Sequence, residues 1–274
     1  MWSFWKRKTW DNRKIAFVSI LIATSVAFVL LTTKFIPIAA LPSFKIMVGG
    51  LPIKLTGYIF GPIVGALTGL IADLISFLLV PVFYNWWYAL AFSLAGFIPG
   101  FIGWLMHKRW RKQSSKNLDE VKYNNINFLF TLFILSVVAI TISVFVFTQD
   151  ESVFANQKLI KNKFLFLGIS LGGCLTMFCA LIIFRFIFSP KTFNQFLPII
   201  AFSALIELCN NPLVTLGDMA VFQLNEEFIT ILTTHFLLSP VKIWGNLIVI
   251  FFAYKVVSPL IYSKTGNGWE EFKF

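Results

Sequence analysis

The stretch GYIFGPIVGALTGLIADLI, residues 57–75, is apolar enough to lie in lipid, yet glycines recur in it every four residues and it carries one carboxylate. Glycine weakens helices in water, but in a membrane small residues allow two helix backbones to approach closely. Gly61, Gly65 and Gly69, extended by Ala72, share one face of a helix because residues four apart lie above one another. The sequence therefore predicts a membrane helix that packs tightly against another helix of the same chain.

The composition places the whole chain in the membrane. Of its 274 residues, 58% are hydrophobic and only 13% are charged, whereas soluble domains average about 45–50% apolar and about 25% charged residues. The first apolar run follows five basic residues and shows no cleavage site, so we expect a span rather than a removable signal peptide. We predict an all-α integral membrane protein.

Eight apolar runs are candidate spans, since a crossing needs about 20 residues. They cover residues 15–33, 46–60, 62–80, 86–106, 128–147, 164–188, 193–210 and 229–257. The second is short, and the segment before it, KFIPIAALPSFKIMVGGLP, is rich in Pro and Gly. Short or Gly/Pro-interrupted spans indicate binding sites in transport proteins, although a simple outer loop explains residues 36–43 as well.

The net charge of +11 is concentrated at the N-terminus and in the loop predicted for residues 107–127, which contains HKRWRKQSSK. Cytoplasmic segments collect Lys and Arg. We therefore expect a protein of the cell membrane with both termini in the cytoplasm, and no nucleic-acid partner. The outer side then receives the acidic residues of the connections, namely Asp150, Glu151, Asp218, Glu226 and Glu227.

Five ionisable residues fall within or beside predicted spans: Lys54, Asp73, Glu207, His235 and Lys242. A charge at a helix centre costs about 2.5–3.5 kcal/mol, so these side chains should face an interior or a wet cavity. They predict either a polar site that opens outward or structural ion pairs, for instance of Lys54 or Lys242 with Asp73. The sequence leaves both open.

A second stripe of small residues lies on the first span. It consists of Ala16, Ser19, Ala23 and Ala27, spaced by three, four and four residues. Facing the rest of the chain, it would be ordinary packing; facing outward, it would be a docking surface for another membrane protein. Periodicity does not decide between the two.

Signatures of catalysis are missing from the sequence. It contains neither a P-loop nor the motifs H-E-x-x-H and G-x-S-x-G. His107 and His235 stand alone, so no metal or cofactor is expected. A substrate-binding subunit of a transporter, a lipid-modifying membrane enzyme and a noncatalytic scaffold remain as classes, and the sparse embedded acids favour the first.

Residues 42–75, PSFKIMVGGLPIKLTGYIFGPIVGALTGLIADLI, resemble the second and third helices of the S components of energy-coupling factor (ECF) transporters, most closely those of the folate-specific branch. The first span also fits, since the family carries an A-x-x-x-A stripe there, matched by Ala23 and Ala27. The matching residues in the longer stretch are Lys45, Ile46, Pro52, Ile53, Leu55, Gly57, Phe60, Gly61, Pro62, Gly65, Asp73 and Leu74.

The resemblance implies a noncatalytic subunit that captures folate, or else another B vitamin, from outside and releases it inside when partner subunits hydrolyse ATP. The partners would be a transmembrane T component and two ATPases, and the connection between the first two helices would act as a lid. Implied substrate-binding residues are Lys45, Gly49, Pro52, Asp73, Glu207 and Lys242. Implied docking residues are Ala16, Ser19, Ala23 and Ala27.

The family has six helices, and this chain is predicted to have two more. We therefore divide the chain into residues 1–122, with four spans and a basic loop, an inserted helix pair at 123–189, and residues 190–274, with two spans and a tail. Removing the pair would leave six helices in the same orientation.

Overall fold

A computed structural model of the chain describes residues 12–35, 42–79, 84–114, 120–151, 154, 162–222 and 228–262. Within these ranges the architecture is entirely helical, as predicted, and no strand occurs. The long helices, in chain order, are α1 (Asn12–Phe35), α2 (Pro42–Phe60), α3 (Pro62–Leu79), α4 (Trp86–Ser114), α5 (Glu120–Thr148), α6 (Lys163–Ile187), α7 (Pro190–Phe222) and α8 (Phe228–Tyr262).

Seven of these helices, all except α2, are long and apolar enough to cross a membrane. Helix α2 has 19 residues and carries Lys45 and Lys54 among them. This agrees with the prediction that the second span is an uncomfortable crossing. The described part of the chain is thus an all-α membrane protein.

The glycine face of α3 packs against α4 within the same chain, which confirms the prediction from residues 57–75. A Cβ atom at Gly65 would lie 2.8 Å from the backbone carbon of Gly96, and one at Gly69 would lie 2.6 Å from that of Phe92. Gly96 closes the contact from the other side, because a Cβ there would meet the backbone of Gly65. Only glycine permits this approach, since the obstructing atoms are backbone.

Gly61 was predicted to belong to that face, and this is wrong. It separates α2 from α3, has φ of +102° and has no atom near the position of a Cβ. A positive φ is easy only for glycine. Gly61 therefore makes the tight turn between the two helices instead of packing.

Helix α7 corrects the predicted seventh span, which ended at residue 210. The helix continues through Pro212 to Phe222. Proline removes one backbone hydrogen bond, but membrane helices tolerate this where neighbouring groups satisfy the freed carbonyl. As a result Asp218, predicted to lie in an outer connection, is inside a helix and fully buried.

The predicted basic loop at 107–127 is also largely helical. Helix α4 continues to Ser114 and α5 begins at Glu120, so only residues 115–119 lie outside the described part of the chain. The proposed lid, residues 36–43, lies mostly outside it too, and α2 has already begun at Pro42.

Two regions of packing divide the bundle. A small cluster joins α1, α2, α3 and α4 around Val26, Val29, Ile53, Ala72 and Phe92. A much larger one joins α2, α4, α7 and α8 with α5 and α6. Helices α5 and α6 pack against α4, α7 and α8, while α1 packs mainly against α2 and α3.

Candidate functional site

Helix α8 carries a buried polar stripe. His235, Ser239, Lys242 and Asn246 follow one another at intervals of four, three and four residues, and none of them is more than 5% exposed. This spacing holds them on one face of the helix. A charged side chain that is removed from water needs a partner, because burying an unpaired ion costs several kcal/mol.

Helix α7 supplies those partners. Glu207, Asn210, Asn211 and Asp218 are buried and face the interior of the bundle. Because α7 does not stop at Pro212, Asn211 and Asp218 continue the line that begins at Glu207. Helices α7 and α8 pack together along much of their length, so their two polar stripes meet.

The first contact group centres on Lys242. Its Nζ lies 3.1 Å from Oε2 of Glu207 and donates to Oδ1 of Asn211 at 3.3 Å. Asn211 Nδ2 in turn donates to Oγ of Ser239 at 2.9 Å. Ser239 Oγ is within 3.3 Å of Glu207 Oε2 as well. A buried cation and a buried anion thus share a closed set of hydrogen bonds.

A second group lies nearer the end of the bundle at which α3 leads into α4. His235 Nε2 is 3.0 Å from Oδ2 of Asp218, and the hydroxyl of Tyr88 donates to the other carboxylate oxygen of the same residue. Asn85 Nδ2 joins the start of α4 to the carbonyl of Gly217 at 3.2 Å. Asp73 is half-buried on α3 and acts electrostatically on Tyr88.

Lys54 completes the cluster from α2. It is 3% exposed, and its Nζ donates to Oδ1 of Asn246 at 2.9 Å. Its charge interacts with those of Glu207 and Lys242. We call the whole set the polar track: Lys54, Tyr88, Glu207, Asn210, Asn211, Asp218, His235, Ser239, Lys242 and Asn246.

Two amide atoms of the polar track make no hydrogen bond. They are Nδ2 of Asn246, whose oxygen accepts from Lys54, and Oδ1 of Asn210, whose nitrogen donates to the carbonyl of Ala91 at 3.0 Å. A buried polar atom without a partner costs about 1–3 kcal/mol. The track therefore offers one donor and one acceptor that a polar ligand can satisfy.

The formal charges of the track cancel one another. The track contains two lysines, Lys54 and Lys242, and two carboxylates, Glu207 and Asp218, all buried. Among the described residues no group of three or more His, Cys, Asp or Glu side chains is arranged to hold a metal ion. An uncharged ligand with its own donors and acceptors fits such an environment without leaving a charge unpaired.

The predicted site residues separate into groups. Glu207 and Lys242 are brought together, and Asp73 lies near Tyr88 at one end of the track. Gly49 instead lies in α2 on the side that faces α1, where its carbonyl accepts from Oγ of Ser25 at 2.6 Å. Pro52 is buried inside α2, and the side chain of Lys45 lies outside the described residues.

Lys54 and His235 were predicted to be embedded but were not named as substrate-binding residues. Their contacts with Asn246 and Asp218 on other helices place them in the cluster. The remaining members, Tyr88, Asn210, Asn211, Asp218, Ser239 and Asn246, were not predicted. The spacing of polar residues along α8 by three and four positions was the signal in the sequence that could have identified Ser239 and Asn246. The spacing along α7 was hidden by the premature helix end at residue 210.

The small-residue stripe of α1 faces away from the bundle. Ala16, Ser19, Ala23 and Ala27 are all exposed. Ser25, on the opposite side of the helix, is fully buried against Gly49. The structure thus decides what periodicity could not, since this stripe is free to contact lipid or another protein.

Comparison with protein families places this chain beside a known family of membrane proteins. The family model described as ECF-type riboflavin transporter, S component, matches residues 9–173, which contain α1 to α5 and the first part of α6. No curated protein and no solved structure matches the chain. The match runs without a break from α1 through α5 into α6, and it ends before α7 and α8.

Proposed function

Because this chain belongs to the family of ECF-type riboflavin transporter S components, we propose that it binds riboflavin, or a closely similar uncharged vitamin, in the polar track and delivers it across the membrane. A transport subunit of this kind is not itself a catalyst. The observation that carries the choice of cargo is the balanced charge of the buried polar track.

Balanced charge favours a neutral cargo. Lys242 is already neutralised by Glu207 at 3.1 Å, and Asp218 already has two hydrogen-bond partners in His235 and Tyr88. A neutral ligand can enter without breaking either group. Riboflavin is uncharged at neutral pH and combines a flat apolar ring, a polar ring edge and a chain of hydroxyl groups.

The amide atoms of the track suit the ring edge of such a molecule. Asn246 Nδ2 is a donor for a ring carbonyl, and Asn210 Oδ1 is an acceptor for a ring N–H. A site built to hydrogen-bond a particular edge discriminates strongly against ligands that lack it, because its buried polar groups are then unpaired. These two residues are our candidates for cargo selection.

Folate is the second candidate, supported by the two lysines of the track. Lys54 donates to a neutral amide, so its charge is neutralised less directly than that of Lys242. Folate carries two carboxylates, and hydrogen bonds between ions are stronger than those between neutral groups. Folate would then bind at the Lys54 end and would have to compete with Glu207 for Lys242.

The test is a titration of the purified protein in detergent with riboflavin, folate and a cationic vitamin such as thiamine. We expect saturable, one-to-one binding of riboflavin without ATP or partner proteins. The variant Asn210→Ala should weaken it, whereas Cys209→Ala, a neighbouring change at an exposed position, should not. Tight binding of folate with no binding of riboflavin would replace the proposed cargo; a folded protein that binds none would contradict the proposed function.

As an S component, the protein would need partner subunits for transport. The sequence has no nucleotide-binding motif, and the family implies a membrane complex with a T component and ATPases. The exposed stripe of α1 is our candidate for the surface that meets the T component, because small residues permit close helix approach in lipid. Helices α5 and α6 leave it open, since they pack on the other side of the bundle.

A further inference from the structure

Helix α8 presents two neighbouring ridges. One is the polar stripe His235, Ser239, Lys242 and Asn246, which belongs to the polar track. The other consists of Phe236, Pro240 and Trp244, spaced by four residues and therefore aligned along the helix. Each residue of the second ridge is adjacent in sequence, or nearly so, to a residue of the first.

The second ridge is held by α5 and α6. The ring of Phe145 in α5 lies 5.4 Å from that of Phe236. Gly173 of α6 lies directly against Pro240. One turn further, Nε1 of Trp244 donates to Oγ1 of Thr176 at 3.3 Å. All three residues of the ridge thus have a partner in the α5–α6 pair.

The contact at Gly173 is the closest of these. A Cβ added there would lie 2.7 Å from Cγ of Pro240 and closer still to its Cβ. The proline ring is rigid and the residue is buried, so it cannot move aside as the end of a flexible side chain would. By contrast, nothing lies within 4 Å of a Cβ added at Gly168 or Gly172 on the same helix.

A proline at position 240 weakens α8 at this level. It cannot donate a hydrogen bond to the carbonyl of Phe236, and such sites are where helices bend. Ser239, immediately before it, contacts Asn211 and Glu207. A shift of Pro240 therefore moves the polar stripe relative to α7.

We propose that the α5–α6 pair is a positioning element for cargo binding, which acts through Gly173, Pro240 and Trp244 to hold the polar stripe of α8 in register with α7. This inference rests on the proposed function, because its effect is measured on cargo affinity. Gly173 and Thr176 are positioning residues and do not themselves contact the cargo.

The test compares two alanine substitutions on one helix turn. Gly173→Ala should raise the Kd for riboflavin on the order of tenfold, about 1.4 kcal/mol, because it pushes Pro240 and its neighbours. Gly172→Ala, in open space, should leave Kd unchanged. Both replace glycine by alanine within a helix, so their effects on helix propensity are the same. Equal Kd values for the two variants, in folded protein, would overturn the proposal.

A double-variant cycle distinguishes an effect of Gly173 on the polar stripe from a general effect on the packing of the protein. If Gly173→Ala acts through the polar stripe, its effect on Kd should be smaller in a Ser239→Ala background, since coupled residues are non-additive. Full additivity would mean that α6 does not act through Ser239, and would overturn the proposed route.

A second pair of variants covers the case in which Gly173→Ala does not fold. Thr176→Val removes the acceptor for Trp244, and Thr141→Val, in α5, removes a hydroxyl that bonds only within its own helix. Thr176→Val should raise Kd about twofold to fivefold, because the hydrogen bond from Trp244 is lost, and Thr141→Val should not. Identical Kd values would overturn the proposal. Absence of riboflavin binding by the unchanged protein would instead contradict the proposed function itself.

Discussion

Lys242 and Glu207 form an ion pair in the interior of the helix bundle. Both side chains are buried, and their 3.1 Å contact is supported by Asn211 and Ser239. Such a pair adds little net stability compared with apolar side chains, but removal of one partner leaves an uncompensated charge. Substitution of either residue alone should therefore lower the stability of the protein.

We predict that Lys242→Met lowers the free energy of unfolding by about 3–5 kcal/mol, because Glu207 remains buried as an unpaired anion. The double variant Lys242→Met/Glu207→Gln should recover most of this loss. Thermal unfolding in detergent measures both. Lys255→Met is the control: this exposed lysine lies over the ring of Phe251, an interaction of about 0.5–1 kcal/mol. A single Lys242 variant as stable as the unchanged protein would contradict the prediction.

At the level of the helices, two small-residue surfaces have opposite uses. The glycines of α3 are turned inward, against α4, and the stripe of α1 is turned outward. The same physical property, close backbone approach, serves packing within the chain in one case and is available to another molecule in the other.

For the inward surface, we expect Gly65→Ala to prevent correct packing of α3 on α4. Its Cβ would meet backbone atoms of Gly96 and Gly57, which move only with their helices. Overpacking costs typically about 1–3 kcal/mol and occasionally more. Gly168→Ala, whose Cβ meets nothing, should be neutral or stabilise its helix by up to about 1 kcal/mol. Unfolding curves that rank the two variants equally would disprove the close contact.

For the outward surface, we predict that Ala23→Trp abolishes assembly with the T component and ATPases while Kd for cargo stays unchanged. The bulky ring would hold a docking helix away. Leu175→Trp is the matched control, an exposed position on α6 at the other side of the bundle. Co-purification of the complex measures assembly. Normal assembly of the Ala23 variant would show that docking occurs elsewhere.

At the scale of the whole molecule, the bundle separates the three regions on which the proposals rest. The stripe of α1 lies on one side, the α5–α6 pair on the other, and the polar track runs between them among α2, α4, α7 and α8. The proposed docking surface and the proposed cargo site therefore share no residue, and each can be altered without substituting the other.

Orientation is a prediction at this scale. Basic residues at the N-terminus and around residues 107–116 indicate that both ends of the chain are cytoplasmic. Reporter fusions active only in the cytoplasm should be active at either terminus, and a fusion between α7 and α8 should be inactive. Activity of the latter with inactivity at the termini would reverse the orientation.

Composition and residue spacing were sufficient for the class of protein, for the number of long helices among the described residues and for the packing of α3. Lipid accounts for this, because a membrane helix must satisfy its own backbone and must be apolar for about 20 residues, both of which are visible locally. Glu207 and Lys242 were also recognisable from the sequence, since buried charges in apolar runs are rare.

Tertiary structure alone decided which of these charges meet, which way the stripe of α1 faces, and where α7 ends. Pairing between α7 and α8 joins residues 17 positions apart in the His235–Asp218 contact and 32 apart in the Ser239–Glu207 contact, and no local pattern records such distances. Pro212 predicts a helix end by its own chemistry, but packing against α4, α5 and α8 carries α7 through it to Phe222. Asp218 and Asn211 enter the polar track for that reason.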